Sequence, residues 1–206
     1  MQLEHQGGSA GHAADRKTRS VAPPMSCRIS GGTLKGRVVS VPDVAGVRPT
    51  AGIVREALFS MIGQDLAGTS TVDLFGGSGL MALEFCSRGS QVHVVEKNAK
   101  VAAAIRENAR KLSVNLEVQV GDARKFRPVS AQPIDHLFMD PPYADRPLDW
   151  LEVAGKLGAI LTILEYRTGA ELPAELHGML LIKRKTYGDS SLALFQRRPV
   201  TGSPEA

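Results

Sequence analysis

The alternation of short apolar runs with amphipathic segments between residues 71 and 165 constrains this chain most. Apolar and β-branched runs predict strands, and spacings of three and four predict helices. Strands alternating with helices indicate an α/β fold with a parallel sheet covered on both faces. The predicted strands are 71–75, 91–96, 116–121, 134–140, 159–165, 179–186 and 191–197, with helices at 80–88, 98–112 and 148–157. The last two strands are joined by four residues and must be antiparallel, so we expect a mixed, mostly parallel, seven-stranded sheet.

Three further segments flank this region. Residues 1–24 are rich in Gly, Ala, Ser and Pro, which predicts a disordered extension. Residues 25–46 contain two short apolar runs around a Gly-rich turn, which predicts a small β-hairpin. The main domain is expected at 47–200, beginning with a helix at 51–62, and residues 201–206 form a tail.

Charge and composition narrow the function classes. Apolar residues make up 43% of the 206 residues, enough for the core of one domain. The chain shows no apolar run of transmembrane length and no apolar leader, and two cysteines form no metal cluster, so we expect a cytoplasmic protein without a metal site. Residues 1–55 hold eight Lys/Arg against three Asp/Glu, and 183–198 hold five against one. Basic ends suit a polyanion such as nucleic acid, although charge alone favours the simpler interpretation of solvated surface lysines and arginines.

A glycine-rich loop follows the first strand of the alternating region. Asp73 and Phe75 close the strand, and Gly76, Gly77 and Gly79 stand before the next helix. In a doubly wound sheet, a ligand binds at the turn between the first strand and the next helix. Glycines let the backbone approach the ligand closely, and the start of the helix offers free N–H groups. The loop predicts a cofactor-binding site.

Acidic residues at the ends of the next strands suggest which ligand the loop binds. Glu96 can accept hydrogen bonds from both hydroxyls of a ribose, and Asp122 can meet the amino group of an adenine. The loop also matches the dinucleotide pattern G-x-G-x-x-A, so a nicotinamide cofactor is a competing interpretation. Asp73 opposes it, because a carboxylate beside the loop repels a pyrophosphate and attracts a cationic sulfonium or ammonium.

The tetrapeptide Asp140-Pro141-Pro142-Tyr143 ends a buried strand. Two prolines fix the backbone and remove two N–H donors, so the carbonyls there have defined directions. Asp140 and the Pro141 carbonyl can accept both hydrogens of an exocyclic amine, and Tyr143 can stack on a flat base. The pattern predicts catalysis on a nucleobase amine.

Residues 73–79 and 140–143 together resemble the amino-group methyltransferases that use S-adenosylmethionine. The segments 29–32, 34–37, 48–50, 54–59, 185–188 and 192–195 resemble, more narrowly, the RsmD-type 16S ribosomal RNA guanine-N2 methyltransferases. The resemblance covers about residues 27–198. It implies a Rossmann-like class I methyltransferase fold and methyl transfer to N2 of a guanine.

The resemblance also implies roles for single residues. Glu96 would hold the ribose of the cofactor and Asp122 its adenine, with Asp73 near the methionyl end. Catalysis would fall to 140–143. The expected partner is small-subunit ribosomal RNA within a ribosomal particle, bound by a monomer. The expected RNA-binding residues are Arg28, Lys35, Arg37, Arg48 and Arg55. For Arg55, pairing with a carboxylate inside the fold is an equal alternative.

Three other functions remain open at this point. An adenine-N6 methyltransferase would share the core motifs, although such enzymes usually carry an added target-recognition domain. A nicotinamide oxidoreductase would share the sheet topology but leave Asp140 and its neighbours without a role. A catalytically dead RNA-binding relative would not need intact Asp73, Glu96, Asp122 and Asp140.

Overall fold

The computed structural model describes residues 25–44, 47, 49–128 and 132–199. The predicted extension at 1–24, the tail at 201–206 and Arg48 lie outside the described residues.

Strands β1 (Ser26–Arg28) and β2 (Val38–Ser40) pair antiparallel and form the predicted hairpin. The main domain contains α1 (Gly52–Ile62), β3 (Ser70–Asp73), α2 (Leu80–Ser87), β4 (Gln91–Glu96), α3 (Ala99–Leu112), β5 (Leu116–Val120), a 3₁₀ turn (Ala123–Lys125), β6 (His136–Met139), α4 (Pro147–Leu157), β7 (Leu161–Arg167), β8 (Glu175–Leu176), β9 (Met179–Tyr187) and β10 (Ser190–Arg197).

The main sheet has the strand order β5-β4-β3-β6-β7-β10-β9-β8. Strands β5, β4, β3, β6 and β7 are parallel, and β10, β9 and β8 continue the sheet antiparallel, which confirms the mixed, mostly parallel α/β fold. The seven predicted strands are all present, and the two-residue β8 adds an eighth at the edge. After β3 the chain adds β4 and β5 on one side of β3, and it then adds β6 on the other side. Ligands bind at such a switch point, outside the carboxyl ends of the strands.

Helices cover both faces of the sheet. Strand residues alternate between the faces: Phe138 packs in the cluster under α1, α2 and α3, whereas Leu137 and Met139 pack in the cluster under α4. The fully buried Phe59 on α1 and Trp150 on α4 lie in these two clusters. We call the two sides the α1 face and the α4 face. Among the described residues, no helix is long and apolar enough to cross a membrane.

The hairpin is attached to the α1 face by apolar contacts and hydrogen bonds. Ile29 and Val39 pack with Leu80, Leu83 and Leu112 of α2 and α3. Beside this cluster lies Glu84, which is 0% exposed. Its carboxylate accepts the backbone N–H and the hydroxyl of a hairpin residue, Ser30, at 2.8 and 2.9 Å. Hairpin and domain therefore share a buried polar centre.

Two arginines complete this centre. Arg55 Nε lies 3.0 Å from Glu84 Oε1, and Arg88 Nη1 lies 2.6 Å from Glu84 Oε2. Arg55 also donates to the carbonyl oxygens of Arg28 and Thr50. The RNA-binding role predicted for Arg55 is therefore wrong, because its guanidinium is buried and committed to internal partners. The alternative, pairing with a carboxylate inside the fold, is what the structure shows.

Candidate active site

Four carboxylates stand at the carboxyl edge of four adjacent strands. Glu96 ends β4, Asp73 ends β3, Asp140 follows β6 and Glu165 lies near the end of β7. Asp73 pairs with Val94 and Phe138, and Phe138 pairs with Ile163, all of them on the α1 face. Glu96, Asp140 and Glu165 lie two residues beyond these partners. All four side chains therefore lie on the α1 face, at the switch point.

Asp73 is fully buried and only half satisfied. Its Oδ1 accepts the N–H of Phe75 at 3.0 Å, whereas its buried Oδ2 has no hydrogen-bond partner among the described residues. Burial raises the pKa of Asp73 to about 8, and the charge of Glu96 adds to the shift. A cationic ligand at the loop would stabilise the ionised carboxylate.

The glycine loop takes a conformation that requires glycine. Gly77 has a φ of 50° and Gly79 a φ of 75°, and Gly79 is the N-cap of α2. A Cβ on Gly76 would lie 2.7 Å from Val94 and 2.8 Å from Ile105. The loop N–H of Gly77 donates to Glu96 Oε2 at 2.9 Å, so the loop and Glu96 form one unit. An unpartnered carboxylate oxygen beside such a loop fits a cofactor that carries a positive charge.

Two other predicted cofactor residues have internal contacts. Asp122 is half-buried and its Oδ1 accepts the N–H of Arg124 at 2.9 Å, which starts the 3₁₀ turn and leaves Oδ2 available. The ring of Phe75 packs edge-on against Trp150, with centroids 4.7 Å apart. Cofactor contact by Phe75 stays a prediction. The roles of Glu96 and Asp122 toward ribose and adenine stay predictions.

Asp140 differs from the other side chains at this edge. Its carboxylate makes no hydrogen bond within the described part of the chain. Burial raises its pKa well above the ordinary value, and the charges of Glu165 and Asp73 add to the shift. Pro141 is buried, whereas Pro142 and Tyr143 are exposed, so the motif runs from the sheet to the surface. A cavity of about 160 Å³ adjoins it, lined by Pro141, Pro142, Tyr143, Asp145, Pro147, Tyr166, Arg167, Thr168 and Ala170.

Glu165 is a site residue that the sequence reasoning missed. It is 5% exposed, and burial raises its pKa. Its Oε1 accepts the hydroxyl of Ser190 at 2.6 Å, and its Oε2 has no partner among the described residues. The available signal was a carboxylate at the end of the predicted strand 159–165, the position that Glu96 and Asp140 also hold on their predicted strands.

The hairpin carries the predicted basic residues. Arg28, Lys35 and Arg37 are exposed, and Arg28 also donates to the Gly36 carbonyl at 2.8 Å. A groove of about 550 Å³ separates this hairpin from the start of α1. RNA contact by these three residues stays a prediction, and Arg48 lies outside the described residues.

Among the described residues, no three His, Cys, Asp or Glu side chains are placed to hold a metal ion.

The fold and the site together are those of a class I methyltransferase. They combine a doubly wound sheet, a glycine loop after β3 and the Asp-Pro-Pro-Tyr segment after β6. The chain belongs to the protein family described as "Conserved hypothetical protein 95", whose model matches residues 27–196.

Named relatives agree with this assignment. Ribosomal RNA small subunit methyltransferase D of Escherichia coli K12 is 30% identical over 177 residues, which cover 82% of this chain and 89% of that protein. The same-named protein of Haemophilus influenzae is 28% identical over 82% of this chain and 93% of its own. A solved structure, the Thermus thermophilus 16S rRNA N2 G1207 methyltransferase with AdoMet and guanosine, superposes with a TM-score of 0.65 at 18% identity, covering 85% of this chain and 50% of that one. That likeness concerns the fold.

Proposed function

We propose that this protein transfers a methyl group from S-adenosylmethionine to the N2 amine of a guanine in small-subunit ribosomal RNA. The observation that carries the proposal is Asp140. It is a carboxylate free of hydrogen bonds within the described residues, held by two prolines at the switch point beside the glycine loop. Family membership and the name of the Escherichia coli relative support the same reaction.

The chain's own residues explain how the cofactor is held. The unpartnered Oδ2 of Asp73 attracts the cationic methionyl end. Glu96 accepts the N–H of Gly77 on Oε2 and that of Asn98 on Oε1, and the second lone pair of each oxygen can accept a ribose hydroxyl. Asp122 keeps Oδ2 for the adenine amine. When bound, S-adenosylmethionine supplies an electrophilic methyl carbon, and its carbon–sulfur bond breaks as the nitrogen–carbon bond forms.

Asp140 and the Pro141 carbonyl accept the two hydrogens of N2 and aim its lone pair at that carbon. Tyr143, the last residue of the motif, is 48% exposed and stacks on a guanine that has left its own stack. Most of the rate comes from this positioning, because the nucleophile is weak and the electrophile strong. Once the new bond forms, N2 is cationic and strongly acidic and gives its extra proton to Asp140 or to water, so Asp140 need not be a strong base.

The substrate RNA lies against the basic hairpin. Arg28, Lys35 and Arg37 are exposed on the α1 face, the face that also carries the four carboxylates. Phosphate contacts there orient the RNA without reading its sequence. The proposal further holds that the substrate RNA is part of a ribosomal particle, that the enzyme is a monomer and that it is located in the cytoplasm.

The test is methyl transfer from radiolabelled S-adenosylmethionine to unmethylated small ribosomal subunits, naked ribosomal RNA and duplex DNA. Digestion to nucleosides identifies the product, and Asp140→Ala is the matched control. We expect N2-methylguanosine from small-subunit RNA, lost in the variant. Label in N6-methyladenine would show that the target base is an adenine and not a guanine. Cofactor binding without any methyl transfer would favour a catalytically inactive RNA-binding protein.

A further inference from the structure

We propose that Glu165 recognises the target base, its Oε2 accepting the N1–H of the guanine while Asp140 and Pro141 accept the two N2 hydrogens. This assignment rests on the proposed function and adds the residue that distinguishes guanine from adenine.

The register of the two central strands places Glu165 beside Asp140. Met139 of β6 pairs with Leu164 of β7, so Asp140 and Glu165 are the next residues on two parallel neighbouring strands. Phe138 and Ile163, two residues earlier, both pack in the cluster on the α1 face. Side chains alternate along a strand, so Glu165 lies on the same face as Asp140 and at the same height.

The partners of Glu165 account for only one of its two oxygens. Ser190 donates to Oε1 at 2.6 Å, while Oε2 is buried without a partner in the described residues. Leaving a buried carboxylate oxygen unsatisfied beside a second carboxyl group is costly, so a purely structural residue here would be apolar or fully bonded. Burial raises the pKa of both groups, and ligand donors between them would relieve the cost.

The donor pattern of the base selects the ligand. The Watson–Crick edge of guanine presents N1–H beside the two hydrogens of N2, which makes three donors in a row. Three acceptors meet them: Asp140, the Pro141 carbonyl and Glu165. Adenine presents an unprotonated N1 beside its amine, which a carboxylate oxygen repels. A second carboxylate next to Asp140 therefore favours guanine over adenine.

The experiment first maps the methylated guanine with the wild-type protein. Small subunits are then reconstituted from RNA with inosine or adenine at that position and used as competitive inhibitors. Inosine keeps N1–H but has no N2 amine, so it reports recognition without methyl transfer. The proteins are wild type, Glu165→Leu and the control Glu171→Leu, which replaces an exposed glutamate in a loop. The melting temperature of each protein is measured alongside.

We expect the wild type to prefer the inosine particle over the adenine particle by about tenfold, as for the loss of one charged hydrogen bond. Glu165→Leu should lose this preference and about tenfold in kcat/KM on guanine, with an equal or higher melting temperature. Glu171→Leu should behave as wild type. An unchanged preference in Glu165→Leu, with or without a lower melting temperature, would overturn the role of Glu165 alone. A wild type that forms no N2-methylguanosine would overturn the proposed function and this assignment with it.

Discussion

Two groups of buried charged residues on the α1 face differ in how far their hydrogen-bonding and ionic partners are supplied by the protein. Around Glu84, the carboxylate meets two guanidinium groups at 3.0 and 2.6 Å and accepts two hydrogen bonds from Ser30. At the carboxyl edge of the sheet, Asp73 and Glu165 each keep a buried oxygen without a partner in the described residues. The first group joins the hairpin to the domain. The second is costly unless a ligand supplies the missing donors, so the difference separates structural charge from functional charge.

The largest expected effect comes from breaking the paired group. Glu84→Gln removes the charge that balances Arg55 and Arg88, and leaving buried guanidinium groups uncompensated should lower the free energy of unfolding by about 3 kcal/mol. Urea unfolding measures the loss. The matched control is Glu107→Gln, because Glu107 pairs with Arg110 at the surface and its loss should change little. A loss in Glu84→Gln no larger than in the control would contradict a structural role for this centre.

The unpaired group should respond to pH in the opposite sense to an ordinary salt bridge. The pKa of Asp73 is raised from 3.8 to about 8 in the folded protein, so the neutral form is favoured there. Its share of stability is complete below pH 4 and is lost as the pH rises to about 8. Asp73→Asn should therefore match wild type near pH 4 and exceed it at pH 8 by about 1–3 kcal/mol.

Urea unfolding at several pH values checks this prediction. The control is Asp189→Asn, in the exposed turn between β9 and β10, which should leave the pH profile of wild type unchanged. If wild type and Asp73→Asn lose stability in parallel between pH 4 and 8, the unpaired carboxylate is not the source of the loss.

Cofactor binding should supply the partner that Asp73 lacks. At pH 7 a carboxyl group with a pKa of about 8 is mostly protonated, and a bound cation would ionise it. Binding of S-adenosylmethionine should then release a proton, and Asp73→Asn should release none and bind about tenfold more weakly. Titration calorimetry in two buffers of different ionisation enthalpy measures the proton. Equal proton release by both proteins would remove Asp73 from the cofactor site.

The smallest effect concerns the hairpin. Lys35→Ala and Arg37→Ala should each reduce the salt dependence of RNA binding by about one unit of slope and leave cofactor affinity unchanged. Lys156→Ala, on the exposed side of α4, serves as the control and should keep the wild-type slope. An unchanged slope in the hairpin variants would place the RNA elsewhere.

The sequence predicts the parts of this account that depend on local pattern. Glu96 and Asp140 end predicted strands and Asp73 stands just before the glycine loop. A parallel sheet brings such strand ends to one edge, so their placement follows from the alternation alone. Glu165 also ends a predicted strand, 159–165, but neither a glycine-rich loop nor a proline motif follows it to mark a site. The two-residue β8 has no pattern of its own to detect.

Contacts between distant segments are not readable in this way. The exposure of Arg55 depends on the hairpin that covers it, and its partner Glu84 lies 29 residues further along the chain. Helical spacing places Arg55 on α1 but does not say what lies against it. The unpartnered state of Asp73 and Glu165 is likewise a property of the folded site, since it depends on every side chain within hydrogen-bond distance.

One pair of variants tests the distinction between paired and unpaired charge most directly. Asp140→Asn and Glu84→Gln are compared for two properties: the free energy of unfolding at pH 8 and the rate of methyl transfer per folded molecule to unmethylated small ribosomal subunits. We predict that Asp140→Asn unfolds no more easily than wild type and loses about a hundredfold or more in rate, whereas Glu84→Gln loses stability and keeps its rate. An Asp140→Asn protein that transfers methyl groups at the wild-type rate would contradict the account.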